Sequence, residues 1–368
     1  MKDLERGNFA WLPTAKQELL LKAALFENSS AVAAWQDWKR SVQMKNIFDA
    51  EIRLFPLVYH NLQKLQYTDE LTGFLKTAHR TAHRNTQFRL QTTEDIITNF
   101  KDNGLRTILL KGAALGIVYY DSTALRPMAD IDLLIKPADF PKALEILRSQ
   151  DWRPQDKNLS VLVEIIHACQ FKHDGGDELD LHWRLMRDCW NADKNDIFWE
   201  AAVPLNLNSL TAETLCPTDQ LFHTCCHGAR YNSISPIRWV ADALMILRPP
   251  FEIDWQRLYD LGKIYGLNLY SYYALRYLRE VFNAPVSEDY LRQAKETSNT
   301  RLEKMSFRLF SQKPAAWTLT RFAQEAVFQY STQISSTTLK PRSLAFIKYL
   351  QHFMTIEKIS KKLSLSNN

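Results

Sequence analysis

The segment Arg126-Pro127-Met128-Ala129-Asp130-Ile131-Asp132-Leu133-Leu134-Ile135 constrains this chain more than any other. Its apolar second half reads as a buried strand over 131–135, closed by Lys136-Pro137. Side chains two apart on a strand share a face. Asp130 and Asp132 therefore project together, and Ile131, Leu133 and Ile135 project to the other side. Two carboxylates so placed repel one another by roughly a few kcal/mol unless a cation lies between them. Mg2+ suits that place, because it takes hard oxygen ligands from one or two carboxylates and completes its shell with phosphate oxygens and water.

The flanks add to this pattern. Upstream, Ile108-Leu109-Leu110-Lys111-Gly112-Ala113-Ala114 reads as a strand that turns at a glycine into a helix. A helix start exposes unpaired N–H groups and suits a phosphate. Downstream, Glu178-Leu179-Asp180-Leu181-His182-Trp183 alternates, so Glu178, Asp180 and His182 share one face and Leu179, Leu181 and Trp183 the other. Asp174-Gly175-Gly176-Asp177 marks a hairpin between strands at 171–173 and 178–185. Asp180 on a neighbouring strand would supply a third carboxylate and complete a two-metal site for in-line phosphoryl transfer.

Around this core the hydrophobic period is helical. We divide the chain into an N-terminal helical region (1–103), a core (104–200), a C-terminal helical domain (201–355) and a polar tail (356–368). The first region should hold a stripe of Leu19, Leu20, Ala23 and Ala24, a Trp35/Trp38 pair, and a long helix over 68–100 that breaks near Asn85 and stops at Asp102-Asn103-Gly104. In the core, helices over 112–120 and 137–150 should follow the strands at 106–110 and 131–135, the second burying Phe140, Ala143, Leu144 and Leu147. In the last domain we expect helices from Pro217, at 236–247, 255–265, 267–282, 287–296, 301–311, 318–332 and 343–354. The fold class is α+β, with a mixed β-sheet core between two large helical regions.

A second cluster lies on the helix from Pro217, where Asp219, His223 and His227 fall at i, i+4 and i+8 with Cys226 beside them. The histidine spacing is compatible with a metal, but neither an H-E-x-x-H motif nor a cysteine pair completes such a site. Packing beside the cleft is the reading we take, with a nucleotide contact from His227 or Arg230 as its functional alternative.

Net charge is +5 and the pI near 8.8, a modest excess spread along the chain. It suits an anionic substrate, whereas the basic-aromatic track of a nucleic-acid binder is missing, so no nucleic-acid partner is expected. Five cysteines without a C-x-x-C pair argue against a disulfide framework. The first residues lead into no apolar signal core, and no stretch approaches the ~18–20 apolar residues of a membrane span. A cytoplasmic protein without a membrane partner is expected.

The arrangement L-K-G at Leu110-Lys111-Gly112, R-P-x-x-D-I-D-L-L-I from Arg126 and D-L-H-W from Asp180 resembles the uncharacterised nucleotidyltransferase-like family of the DNA polymerase β-type superfamily. Pro217-Thr218-Asp219-Gln220-Leu221, His227-Gly228 and Arg238-Trp239 extend the resemblance, which spans roughly residues 90 to 250. It implies a nucleotidyltransferase-type sheet, Gly112 as the turn glycine, Asp130 and Asp132 as the metal pair, and Asp180 as the third carboxylate. Ala113 stands where the superfamily usually has Ser or Gly, which turns attention to Lys111 or Arg126 for the phosphate. The candidate catalytic and metal-binding residues are thus Asp130, Asp132 and Asp180, and the nucleotide-binding ones Lys111, Gly112, Ala113, Arg126 and His227. The implied activity is Mg2+-dependent transfer of a nucleoside monophosphate from an NTP, ATP foremost, to a hydroxyl of a small molecule, peptide or protein, with release of pyrophosphate. The alternatives are a non-catalytic nucleotide-binding adaptor on the same fold and kinase-like transfer of the γ-phosphoryl group.

Overall fold

The computed structural model describes residues 9–42, 49–156, 163, 166–189, 192–231, 237–297 and 301–312. The helices expected at 318–332 and 343–354, and the tail, lie outside them. The chain opens with α1 (Ala15–Leu25), closed at its start by a Thr14/Gln17 capping box, and α2 (Ser29–Ser41), capped by Asn28. Trp35 and Trp38 stack with ring centroids 5.0 Å apart. A short α3 (Asp49–Ile52) and α4 (Phe55–Lys64) follow. Next comes α5 (Thr72–Asp102), which runs 31 residues without interruption. The break expected near Asn85 does not occur, because one exposed asparagine costs a helix at most about 0.7 kcal/mol. Gly104, at φ +73°, ends the segment where a stop was expected.

Among the described residues, seven strands form one mixed sheet in the order β3-β4-β5-β2-β1-β7-β6. They are β1 (Ile108–Leu109), β2 (Ile131–Leu134), β3 (Trp152–Pro154), β4 (Ala168–His173), β5 (Glu178–His182), β6 (Val203–Leu207) and β7 (Leu210–Thr214). β2 runs parallel to β5 and antiparallel to β1, which pairs parallel with β7. β4 and β5 are the hairpin expected around Asp174-Gly175-Gly176-Asp177. β5 stops at His182 rather than at residue 185, because the amides of Trp183 and Arg184 turn away to donate to the His167 carbonyl. Between strands lie α6 (Lys111–Val118), α7 (Phe140–Ser149) and α8 (Ala192–Glu200).

The alternation read in the sequence sets the layers. Ile131, Leu133, Leu179 and Leu181 are wholly buried in one apolar cluster with Ile96, Ile97 and Phe100 of α5 and Phe140, Ala143 and Leu147 of α7. Leu134 faces the opposite way, into a second cluster shared by α1, α2 and α4 and by the helices after the sheet. Those later helices are α9 (Pro217–Gly228), α10 (Arg238–Ile246), α11 (Trp255–Tyr265), α12 (Asn268–Phe282), α13 (Glu288–Thr297) and α14 (Arg301–Ser311). α9 is buried from Thr218 to Cys226, the pattern of a helix enclosed on all sides. Its polar residues must therefore find partners or face a cavity. No helix among the described residues is long and apolar enough to cross a membrane.

Candidate functional site

The site begins at the turn from β1 into α6. Lys111 holds φ +46°, while Gly112, expected as the turn residue, does not carry the left-handed conformation. A non-glycine residue there costs on the order of 1–2 kcal/mol. Gly112 answers a different constraint: a Cβ on it would lie 3.0 Å from Met128 Cβ and 3.3 Å from Arg126 Nη1. The segment before β2 therefore crosses α6 at close range. The turn sets the Lys111 ammonium over β2, with Nζ 2.6 Å from Asp132 Oδ1 and 3.5 Å from His182 Nε2.

Parallel pairing of β2 with β5 sets Asp132 beside Asp180 and Leu134 beside His182. One ligand atom from each of Asp132, Asp180 and His182 lies within 4.8 Å of the others. His182 Nε2 is 3.1 Å from Asp132 Oδ1. Asp130 borders the same cleft but stands outside that group, since it precedes the strand, which starts at Ile131. His182, read as one of three residues on a shared face, joins Asp132 and Asp180 in that group.

The charges are strongly coupled. Burial pushes the Asp132 carboxyl up, but the Lys111 ammonium and His182 outweigh it and hold the group below the usual carboxylate range. Asp180 is pushed up to about 7, by burial and then by the charge of Asp132. The same two causes raise Asp130. Burial would lower Lys111, yet Asp132 keeps it above the usual lysine value. Burial and the nearby ammonium lower His182. The pair Asp132/Asp180 thus holds one firm negative charge and one that titrates near neutrality.

These carboxylates line a cleft of about 470 Å3. Glu178 adds a further carboxylate on their side. Arg53, Lys111, Arg126 and Arg238 bring positive charge, and Gln220, His223, Thr224 and His227 of α9 form the facing wall with Trp239. Arg126 was expected at the phosphate or paired with the aspartates. It lines the cleft, and its guanidinium grips Asp242 with Nε at 2.7 Å and Nη2 at 2.8 Å, while the Tyr120 hydroxyl donates to the same carboxylate at 2.8 Å. Arg126 thus ties the loop before β2 to α10. Arg238 donates to the Pro127 carbonyl and is pushed down to about 9 by burial and by the adjacent Arg126. Arg53 crowds it further. Ala113 lies in the apolar cluster rather than among the lining residues, so only its backbone is left to offer a ligand.

The expected Asp219/His223/His227 row divides. Asp219 is fully buried and bound bidentately by Arg257, at 2.7 and 2.8 Å, which fastens α9 to α11. His223 and His227 face the cleft, with ring centroids 6.0 Å apart. Arg230 turns elsewhere, to Asp188 at 2.6 Å and over the Tyr270 ring. Sequence reasoning assigned no role to Arg53, Gln220, Trp239 or Asp242. Gln220 carried a signal, as an amide beside Leu221 and Phe222 in a buried helix. Arg53, far upstream of every motif, carried none.

The donor set fits a divalent cation. Two carboxylates side by side, one of them in want of a counter-charge as it ionises, are the hard ligands such an ion takes, and the imidazole can contribute a third. The Lys111 ammonium shares that group through Asp132 Oδ1.

A family model for an uncharacterised nucleotidyltransferase matches residues 37–283. No curated protein matches the chain. Among solved structures, an antigenic nucleotidyltransferase-like protein from Paracoccidioides brasiliensis is similar at 14% identity and a TM-score of 0.34, over 55% of this chain and 95% of that one.

Proposed function

The chain belongs to this uncharacterised nucleotidyltransferase family, and from that premise we propose that it moves a nucleoside monophosphate from an NTP, ATP foremost, to a hydroxyl of a small molecule, peptide or protein. The observation that carries the proposal is the pairing of Asp132 with Asp180 on adjacent parallel strands, inside a cleft that also holds Lys111, Arg53 and Arg238. Asp132 and Asp180 would hold Mg2+, with Asp130 next to them. The ion would supply a Lewis acid for the phosphoryl oxygens. Lys111, Arg53 and Arg238 would bind the β- and γ-phosphates and offset the charge of the leaving pyrophosphate. His227 would border the nucleotide, and the turn at Gly112 and Ala113 would offer backbone N–H groups. Asp180, beside Asp132 on the cleft side of the sheet, would take the acceptor hydroxyl's proton. The acceptor oxygen then forms its bond to the α-phosphorus as the α–β phosphoanhydride bond breaks. A reducing cytoplasm would suit the five cysteines, all of which are free thiols.

A non-catalytic nucleotide-binding role draws support from the Lys111–Asp132 ion pair, which already neutralises the better ionised carboxylate. A thermal-shift panel of the four NTPs with and without Mg2+ separates the readings. We expect a metal-dependent rise for at least one NTP, lost in the Asp132→Asn/Asp180→Asn variant while its circular dichroism stays unchanged. A shift that needs no metal selects the adaptor, and no shift for any NTP sinks both. Pyrophosphate release distinguishes nucleotidyl transfer from γ-phosphoryl transfer.

A further inference from the structure

Gln220 and His223 lie one helical turn apart on α9, and both line the cleft. Gln220 is 1% exposed and His223 2%. Neither Nε2 nor Oε1 of Gln220 has a hydrogen-bond partner among the described residues, and neither has Nε2 of His223. Leaving buried polar atoms unpaired is expensive, so folded chains pair nearly all of them. Three such atoms in two neighbouring side chains, in a cleft wall, point to a ligand that completes them.

The chemistry of these atoms narrows the ligand. Phosphate oxygens only accept, so they would satisfy the Gln220 amide nitrogen and leave its oxygen orphaned. Positive charge for phosphates already stands at Lys111, Arg53 and Arg238. A carboxamide presents a donor and an acceptor side by side, and its planar complement is the edge of a nucleobase. Glutamine pairs bidentately with adenine through N6 and N7. The imidazole adds a third polar atom one turn along, and the cleft, at about 470 Å3, is of ligand size.

We propose that Gln220 and His223 form the nucleobase-reading wall of the cleft, with adenine as the base they match. The proposal rests on the cleft being the nucleotide site.

The test measures equilibrium binding of non-hydrolysable ATP, GTP, CTP and UTP analogues, and of inorganic tripolyphosphate, to the full chain in Mg2+. The wild type should bind the ATP analogue about ten-fold or more tighter than the others, the discrimination that a hydrogen-bonding site can supply. Gln220→Met and His223→Leu should erase that preference and leave tripolyphosphate affinity unchanged. Gln220→Met should also melt no lower than the wild type without ligand, since it removes an unpaired buried amide. Variants that keep the wild-type ranking of bases overturn the proposal, as does a wild type that binds tripolyphosphate but ranks the four analogues equally. If neither tripolyphosphate nor any analogue binds, the nucleotide site itself falls and takes this inference with it.

Discussion

Lys111 is held at φ +46° with its ammonium 2.6 Å from a carboxylate that is 2% exposed. Breaking a buried ion pair on one side leaves the other charge uncompensated, so Lys111→Met should cost about 3 kcal/mol in urea denaturation, the low end for such pairs because the lysine is partly exposed. Lys111→Gly removes the same pair but relieves the left-handed backbone, and should be about 1 kcal/mol less destabilised than Lys111→Met. The reverse order would mean that the backbone is unstrained. The shared face of Asp180 and His182 was legible, because the period of a strand is two and only side-chain direction is at issue. The left-handed lysine was not, because positive φ is uncommon outside glycine and leaves no mark in the sequence. The partner of Arg126 was equally hidden. Asp242 lies 116 residues away and meets it only when α10 packs on the loop before β2.

Among elements, α9 and α10 meet where Gly228 faces Trp239. A Cβ on Gly228 would fall 2.2 Å from Trp239 Cγ, and Trp239 is itself held against Trp11 and Tyr277. With no room to give, Gly228→Ala should cost about 1–3 kcal/mol in chemical denaturation. At the start of α12, the Leu269 amide donates at 2.8 Å to Glu303 from α14, a cap supplied by another helix. Burial raises the Glu303 carboxyl above its usual value. A carboxylate raised in the folded state contributes its stability below the unfolded pKa and loses it as pH rises through the folded value. Melting temperatures of Glu303→Gln and the wild type, compared from pH 4 upward, should therefore diverge in favour of the variant; a constant difference would show that Glu303 does not titrate in that range. The β4–β5 hairpin was legible from its turn residues, and so were the start of α11 and the end of α5. That Asp180 lies on a strand next to Asp132 was expected, but the parallel register of β2 on β5 was not legible, because register between strands distant in sequence depends on burial of Leu179 and Leu181 against helices that no local pattern identifies.

Across the whole molecule, one apolar cluster joins Trp11, Leu20, Trp35 and Phe55 to Leu134 of the sheet and to Phe222, Val240 and Leu275 beyond it. The cleft draws Arg53, Asp132 and His223 from those same three stretches of chain. Unfolding should therefore be a single transition by calorimetry. Trp11→Ala, which empties a site 1% exposed, should lower that transition as a whole by about 3–5 kcal/mol. A second resolved peak would show that the cluster does not couple the helices on either side. The ammonium that Lys111 sets on Asp132 also bears on how the protein survives a shortage of metal. A chain that carries its own counter-charge needs no metal to stay folded, so the chelator-treated protein should keep its circular-dichroism spectrum and melt cooperatively, lower only by what metal binding contributed. Loading would then be a hand-over, in which one resident cation yields its seat to another.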